Sequence, residues 1–312
     1  AGADAVKSQS FKADKLVSKE AKKANFQNHN KGGRDQYQYN MLKSLELSNK
    51  YHDILITESK KRNILFLSTA FDKEGLEYLN KLGLPVLKCP SGEITNYPYL
   101  QCLAKIGKPV ILSTGMANMD EIKSAIDVLT TNELNKNEIT VLHCNTEYPT
   151  PMTDVNLLAM KTIGDELGVK IGYSDHTLGI EISVAAAALG AKVIEKHFTL
   201  DRNLPGPDHR ASLEPNELKS MVTAIRNVEI AISGSGKKEP SPSEIKNRTV
   251  VRKSLHTKRA LRKGHLISED DLIPLRPATG INPMEISTVL GCELKSDLSK
   301  SELISWKNLK KK

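Results

Sequence analysis

The sequence predicts an α/β protein with a TIM-type (β/α)8 barrel, of which seven strands are present, followed by a small β-rich domain. Short apolar, β-branched runs recur over the first 232 residues, and each is followed by a longer segment with apolar residues three and four positions apart. This alternation is typical of βα units around a parallel sheet. A Gly/Ser/Pro-rich stretch over 233–243 ends the alternation and is typical of a linker. We therefore predict a barrel domain over 1–232, a linker over 233–249 and a second domain over 250–312.

The individual elements follow from the same periodicities. The predicted barrel strands cover 4–10, 64–69, 86–89, 110–114, 140–144, 170–174 and 192–197. The predicted helices cover 41–60, 73–82, 118–129, 154–167, 180–189 and 214–232. Strands are also predicted at 250–254 and 272–276 in the second domain. Because a domain of about 60 residues has a marginal core, we expect it to dock against another surface.

Composition excludes several classes of protein. The chain has 45 Lys and Arg against 37 Asp and Glu, but apart from three lysines at its end the basic residues are spread evenly and are not interleaved with aromatics. No nucleic-acid partner is therefore predicted. The most continuous apolar stretch, 182–194, is too short to span a bilayer, so no membrane partner is predicted either. Four cysteines without a C-x-x-C pair favour a reducing compartment, and we expect a cytoplasmic protein.

Polar side chains near the predicted strand ends are the candidates for chemistry, because function in an α/β barrel lies at the carboxyl ends of its strands. Lys7 lies on the first strand, and Lys88 precedes the turn Ser91-Gly92-Glu93, whose amides and hydroxyl could hold phosphate oxygens. Thr69 and Ser113 end two further strands. A hydroxyl in such a place is more often a helix cap than a ligand.

Two histidines indicate a metal site. His176 and His197 lie at the ends of neighbouring strands, where two imidazoles can bind one divalent cation and leave positions open for water and substrate. Either histidine alone would more often be structural. Cys144 also ends a strand, but it has no visible activating neighbour, so we interpret it as buried. The rigid loops with Tyr148 and Asp208 are suited to shaping a polar pocket.

These motifs occur in one order along the chain. They are VKSQSF (6–11), FLST (66–69), KCPSGE (88–93), STG (113–115), LHC (142–144) with Tyr148-Pro149, GYSDHT (172–177) and EKHFT (195–199). Together they resemble the sialic acid synthase family, whose members condense phosphoenolpyruvate with an N-acetylated mannose-type sugar. The resemblance runs to about residue 309, because Leu275-Arg276-Pro277 and Thr279-Gly280-Ile281 are similar to the family's antifreeze-like (SAF, β-clip) module.

The resemblance implies a phosphoenolpyruvate site, a metal and a dimer. The positions that hold phosphoenolpyruvate are matched by Lys7, Thr69, Lys88, Ser91 and Ser174, while Thr146 stands where relatives have an Asn. His176 and His197 match the ligands of Mn²⁺ or Mg²⁺, and Glu93, Tyr148 and Asp208 match positions lining the sugar. Arg276 matches an arginine inserted into the partner's barrel, which implies a domain-swapped homodimer. The resemblance makes Glu93, Lys88 and Lys7 the expected catalytic residues.

The start of the sequence departs from the family pattern. The family's first strand carries a glutamate and an Asn-His-Asn stretch, and no such strand precedes Ala5 here. Asn28-His29-Asn30 follows the second family strand instead, so we predict a loop there and transfer no role. We expect this chain to lack the first strand and helix, and therefore to show little turnover, because both sheet edges then carry site residues.

Several functions remain open. The first expectation is condensation of phosphoenolpyruvate with N-acetylmannosamine to give N-acetylneuraminic acid and phosphate. An alternative is the same reaction on 2,4-diacetamido-2,4,6-trideoxymannose, which gives N,N'-diacetyllegionaminic acid. A Schiff-base aldolase using Lys7, Lys88 or Lys196 is another, and a non-catalytic carbohydrate- or ice-binding protein is a fourth.

Overall fold

The computed structural model describes residues 1–24, 27 and 37–310. The predicted loop at Asn28-His29-Asn30 lies outside the described residues. The chain divides into two compact units, 1–234 and 235–312. Within the described residues, no helix has the length and apolar character needed to cross a membrane.

The first unit is built on a curled sheet of seven parallel strands, each paired with the next in chain order. The strands are β1 (Ala5–Ser10), β2 (Leu65–Ala70), β3 (Leu87–Cys89), β4 (Val110–Ser113), β5 (Ile139–Cys144), β6 (Lys170–Asp175) and β7 (Ile194–Lys196). This arrangement confirms the predicted TIM-type barrel architecture with seven strands. Because all strands run the same way, their carboxyl ends meet at one edge of the sheet.

Nine helices of the described part surround this sheet. They are α1 (Ala13–Leu16), α2 (Gln38–Leu45), α3 (Asn49–Lys61), α4 (Lys73–Lys81), α5 (Tyr97–Lys105), α6 (Met119–Thr131), α7 (Leu158–Leu167), α8 (Glu181–Ala188) and α9 (Pro215–Ile232). Polar caps begin several of them, since Asp72, Asn96 and Asn118 accept backbone N–H groups of the first turns of α4, α5 and α6. The main core lies between strands and helices, where Leu76, Leu103 and Leu129 among others are fully buried.

The second unit consists of short elements around its own small core. Two antiparallel pairs join β8 (Ser254–Thr257) to β9 (Leu272–Leu275) and β10 (Glu293–Leu294) to β11 (Leu309–Lys310). Its short helices are α10 (Pro242–Ile245), α11 (Asn247–Val251) and α12 (Ile286–Val289). The strand predicted over 250–254 is therefore wrong in its first part, because α11 ends there and β8 begins at Ser254.

Candidate active site

Side chains from six strands meet on the inner face of the sheet, toward its carboxyl edge. Lys7 of β1 donates a hydrogen bond from Nζ to Thr69 Oγ1 of β2 at 3.4 Å. Thr69 is paired in the sheet with Lys88 of β3, and Lys88 Nζ donates to Ser113 Oγ of β4. Alternation along each strand sends these residues inward and their neighbours outward.

Glu195 of β7 supplies the negative charge of this cluster. Its Oε1 lies 3.7 Å from Lys7 Nζ and 3.8 Å from Lys88 Nζ, and it accepts a hydrogen bond from Ser174 Oγ at 3.1 Å. One carboxylate thus faces two ammonium groups. The resulting excess of positive charge, on side chains largely withdrawn from water, is suited to binding an anion.

Burial and charge oppose each other at these groups. Burial raises the pKa of the Glu195 carboxyl, but the attraction of Lys88 and Lys7 outweighs burial and lowers that pKa to about 2. Burial also lowers the pKa of the Lys7 ammonium, which Glu195 partly offsets. Glu195 is therefore ionised at neutral pH and holds the two lysines in place.

A second group of residues lies where β3, β4 and β5 end. The Gly115 N–H donates to Ser91 Oγ at 2.9 Å, and Ser91 Oγ lies 3.4 Å from Cys144 Sγ. A Cβ at Gly115 would lie 2.5 Å from Thr146 Cγ2 and 2.9 Å from Ser91 Oγ. Gly115 is thus required for the close approach of Ser91 and Thr146.

The two predicted metal ligands lie side by side. The ring centroids of His176 and His197 are 5.4 Å apart, and the ring of Tyr148 packs on both, at 4.2 Å from His176 and 5.6 Å from His197. Burial lowers the pKa of His176 and of His197 to about 4, helped at His176 by His197 and at His197 by Lys7. Both imidazoles are therefore neutral at pH 7, the form that binds a metal.

The hydrogen bonds of His176 fit such a metal. Its Nδ1 lies 2.5 Å from the Asn145 carbonyl oxygen, which can only accept, so Nδ1 carries the proton and Nε2 keeps a lone pair. Ser174 Oγ is 3.3 Å from this Nε2, but its single proton has a nearer acceptor in Glu195. Among residues 1–24, 27 and 37–310 no group of three or more His, Cys, Asp or Glu side chains is placed to hold a metal ion. The arrangement thus fits a site with two protein ligands, the remaining positions being open to water and substrate.

The residues predicted for the sugar side lie around this pair and around β3. Asp208 Oδ2 is 3.6 Å from His197 Nδ1, and burial raises the pKa of the Asp208 carboxyl. Glu93 is buried after β3, accepts a hydrogen bond from Asn96 Nδ2 at 2.5 Å, and has its pKa raised by burial. Arg276 is exposed after β9 in the second unit.

The structure also shows two contacts that the sequence analysis missed. Glu195 was recognised only as part of the EKHFT motif, although its position two residues before His197 on a strand indicates the same face. Ser113, considered above as a cap, contacts Lys88 instead. Lys196 faces the opposite side of β7, where it pairs with Asp175 at 3.0 Å, so it does not join the other two lysines.

Known proteins resemble the chain along nearly its whole length. The model of the NeuB family matches residues 1–238, and that of the SAF domain matches residues 252–310. The chain belongs to the NeuB family. The N,N'-diacetyllegionaminic acid synthase of Campylobacter jejuni is 52% identical over 97% of this chain and 90% of its own length. The synthase of the same name from Legionella pneumophila is 48% identical over 99% of this chain and 86% of its own length.

A solved structure agrees with these relatives. The N-acetylneuraminic acid synthetase of Leptospira borgpetersenii, in complex with citrate, is 35% identical and superposes with a TM-score of 0.67 over 78% of this chain and 79% of its own. This NeuB-family chain is an enzyme of the synthase type.

Proposed function

We propose that this NeuB-family chain condenses phosphoenolpyruvate with 2,4-diacetamido-2,4,6-trideoxymannose to give N,N'-diacetyllegionaminic acid and phosphate. The choice of sugar is supported by the two relatives at 52% and 48% identity that carry this activity in their names. The convergence of Lys7 and Lys88 with the His176–His197 pair is the observation that supports the reaction class.

The charged cluster around Lys7 and Lys88, called the anion site from here on, is suited to phosphoenolpyruvate. Its carboxylate and phosphate would accept hydrogen bonds from Lys7, Lys88 and the hydroxyls of Thr69, Ser91 and Ser174, with Thr146 beside Ser91. Two ammonium groups screen the charge that phosphate carries away when it leaves.

We propose Mn²⁺ or Mg²⁺ as the cofactor, held by His176 and His197. When bound, such an ion polarises a carbonyl oxygen as a Lewis acid. Glu93, Tyr148 and Asp208 would orient the sugar, whose aldehyde carbon accepts C3 of phosphoenolpyruvate. Water then adds to C2, and phosphate leaves with cleavage of its C–O bond. Burial raises the pKa of Glu93 and of Asp208, and a carboxyl that is protonated more readily than in water is suited to exchanging a proton with the substrate.

A homodimer is part of the proposal. Arg276 would enter the barrel of the partner subunit and contact the N-acyl group of the sugar. Four free cysteines, Cys89, Cys102, Cys144 and Cys292, support a cytoplasmic location, because an oxidising compartment favours disulfides.

A second candidate is condensation with N-acetylmannosamine to give N-acetylneuraminic acid. The resemblance to the Leptospira borgpetersenii synthetase favours it. The strand-end residues bind phosphoenolpyruvate and metal in both reactions, so they do not distinguish the two sugars.

Competing sugars test the proposal. The chain is incubated with phosphoenolpyruvate, Mn²⁺ and either sugar, and phosphate release and product mass are measured over time. We expect more product from the diacetamido sugar, and preference for N-acetylmannosamine would establish the second candidate.

Phosphoenolpyruvate binding is measured by calorimetry in parallel. Loss of binding is expected in Lys88→Met and not in the exposed control Lys12→Met. Trapping of pyruvate on a lysine by borohydride, without phosphate release, would instead identify an aldolase.

A further inference from the structure

A buried ion pair lies directly behind the two imidazoles. Asp175 Oδ2 of β6 is 3.0 Å from Lys196 Nζ of β7, and the side chains are 0% and 1% exposed. The two residues are partners in the register of β6 and β7. Their neighbours on each strand, Ser174 and Glu195, face the opposite side of the sheet, toward the candidate active site.

Both carboxylate oxygens of Asp175 accept hydrogen bonds from nearby residues of the loop after β6 and of α8. Oδ1 accepts from the Thr177 N–H at 2.9 Å and from Thr177 Oγ1 at 2.7 Å, while Oδ2 accepts from Ser183 Oγ of α8 at 2.6 Å. Lys196 Nζ also donates to the Thr177 carbonyl oxygen at 2.6 Å. The pair therefore ties together the ends of β6 and β7, the loop after β6 and the helix α8.

Stability alone does not explain this arrangement. Burying two charges carries a large desolvation penalty, and apolar residues of similar volume are often as stabilising as a buried ion pair. The ion pair joins a short strand to its neighbour. Strand β7 has three residues, and Ile194, Glu195 and Lys196 pair it with β6. His197 follows the last of these positions, so its backbone is held by the Lys196 contact before it and by the hydrogen bond from the Leu213 N–H to its carbonyl oxygen.

We propose that Asp175 and Lys196 are positioning residues that set the separation and orientation of His176 and His197. Each member of the ion pair is adjacent in sequence to one imidazole, and the pair locks the two strand ends at the spacing that leaves the rings 5.4 Å apart. Residues that orient metal ligands from behind typically change metal affinity by 10- to 100-fold when replaced. This inference rests on the proposed function, since it concerns the metal held by that same pair.

The test replaces both charges at once. In Asp175→Asn with Lys196→Met, the Asn keeps an acceptor for Thr177, and no charge is left buried without a partner. Mn²⁺ binding is measured by calorimetry without substrates, together with the thermal unfolding temperature. We expect the unfolding temperature to stay close to that of the wild-type chain and Mn²⁺ to bind about 10- to 100-fold more weakly.

A matched control uses the same replacements elsewhere. Asp4→Asn with Arg226→Met removes the exposed ion pair that joins the start of β1 to α9, with Arg226 Nη2 and Asp4 Oδ2 at 2.6 Å. It should leave Mn²⁺ affinity unchanged. If the folded Asp175→Asn, Lys196→Met variant keeps the wild-type Mn²⁺ affinity, the positioning role of Asp175 and Lys196 is wrong, while the proposed metal site is unaffected. Absence of Mn²⁺ binding in the wild-type chain would overturn the proposed metal site as well.

A milder variant keeps the test decisive if the double variant does not fold. Ser183→Ala removes one hydrogen bond to Asp175 Oδ2 and leaves both charges in place. We expect Mn²⁺ affinity to fall by about threefold, in the direction of the double variant, because one hydrogen bond that fixes Asp175 is lost. Unchanged Mn²⁺ affinity in this variant would contradict the positioning role.

Discussion

Glu195 places one negative charge beside the buried Lys88 and the half-buried Lys7, so its removal has a defined cost. In Glu195→Gln, Lys7 and Lys88 lose the carboxylate that lies 3.7 and 3.8 Å from their Nζ atoms. We expect the free energy of unfolding, measured in urea, to fall by about 3 kcal/mol, because a buried charge is left without its partner. Inorganic phosphate should restore part of that loss, since an added anion can take the place of the carboxylate.

The control for this prediction is Glu229→Gln. Glu229 pairs with Arg226 at 3.0 Å on the exposed side of α9, where an ion pair contributes less than about 1 kcal/mol. Equal stabilisation of the wild-type chain and of Glu195→Gln by phosphate would contradict the idea that Glu195 offsets the charge of Lys7 and Lys88.

His176 makes stability depend on pH in the metal-free protein. Burial lowers its pKa from 6.5 in the unfolded chain to about 4 in the folded one. The unfolded chain therefore binds a proton that the folded chain does not, so stability is complete above pH 6.5 and is lost as the pH falls toward 4. At pH 5 the loss from this group is expected to be about 2 kcal/mol.

Urea unfolding at pH 7.5 and pH 5, with a chelator present, measures this effect. The difference between the two pH values should be smaller in His176→Asn, which carries no titrating group at that position. Identical pH dependence in the variant and the wild-type chain would contradict the buried neutral state of His176.

The site residues differ in how far the sequence could predict them. Lys88, His176 and His197 follow from their places at strand ends, because the fold brings those ends together. The role of Glu195 could not be predicted in this way. The local sequence does not show that its carboxylate will face Lys7, which is 188 positions away. Contacts between the first and last strands depend on how strongly the sheet curls, which periodicity does not encode.

Among the elements, the β4–α6 connection carries a tight steric constraint at Gly115. In Gly115→Ala the new Cβ would lie 2.5 Å from Thr146 Cγ2 and 2.9 Å from Ser91 Oγ, so one of these side chains must move. We expect a loss of about 1 to 3 kcal/mol in unfolding free energy from the added volume. Phosphoenolpyruvate should bind about tenfold more weakly, the cost of one displaced hydrogen bond.

Calorimetric titration with phosphoenolpyruvate checks this expectation. Gly92→Ala is the matched control for stability, because nothing lies within 4 Å of the Cβ that it would add. If Gly115→Ala binds phosphoenolpyruvate with wild-type affinity, Ser91 and Thr146 do not belong to the anion site.

At the same scale, strands were predicted better than helices. Each of the seven barrel strands was found within two residues of its predicted bounds, because the alternation of short apolar runs with longer helical patterns is a local signal. The single helix predicted over 41–60 is divided into α2 and α3, since Glu46 turns its carboxylate to the Ala13 N–H at 2.9 Å, a tertiary contact that the pattern cannot show. Helix α5 was not predicted, although Asn96 and Pro98 mark its start.

For the whole molecule, the prediction concerns large apolar side chains that are exposed in the second unit. Leu266, Met284 and Trp306 are 63%, 87% and 44% exposed there, and the proposed association with a second copy would remove apolar surface of this kind from water. We therefore expect a dimer of twice 34.4 kDa by light scattering.

In Leu266→Glu with Met284→Glu the mass should fall toward that of one chain, because each charge would have to be desolvated on association. Ile230→Glu, at a 73% exposed position on α9 in the first unit, should keep the dimer mass. A monomer mass for the wild-type chain would remove Arg276 from the proposed sugar site, because that role depends on a partner subunit.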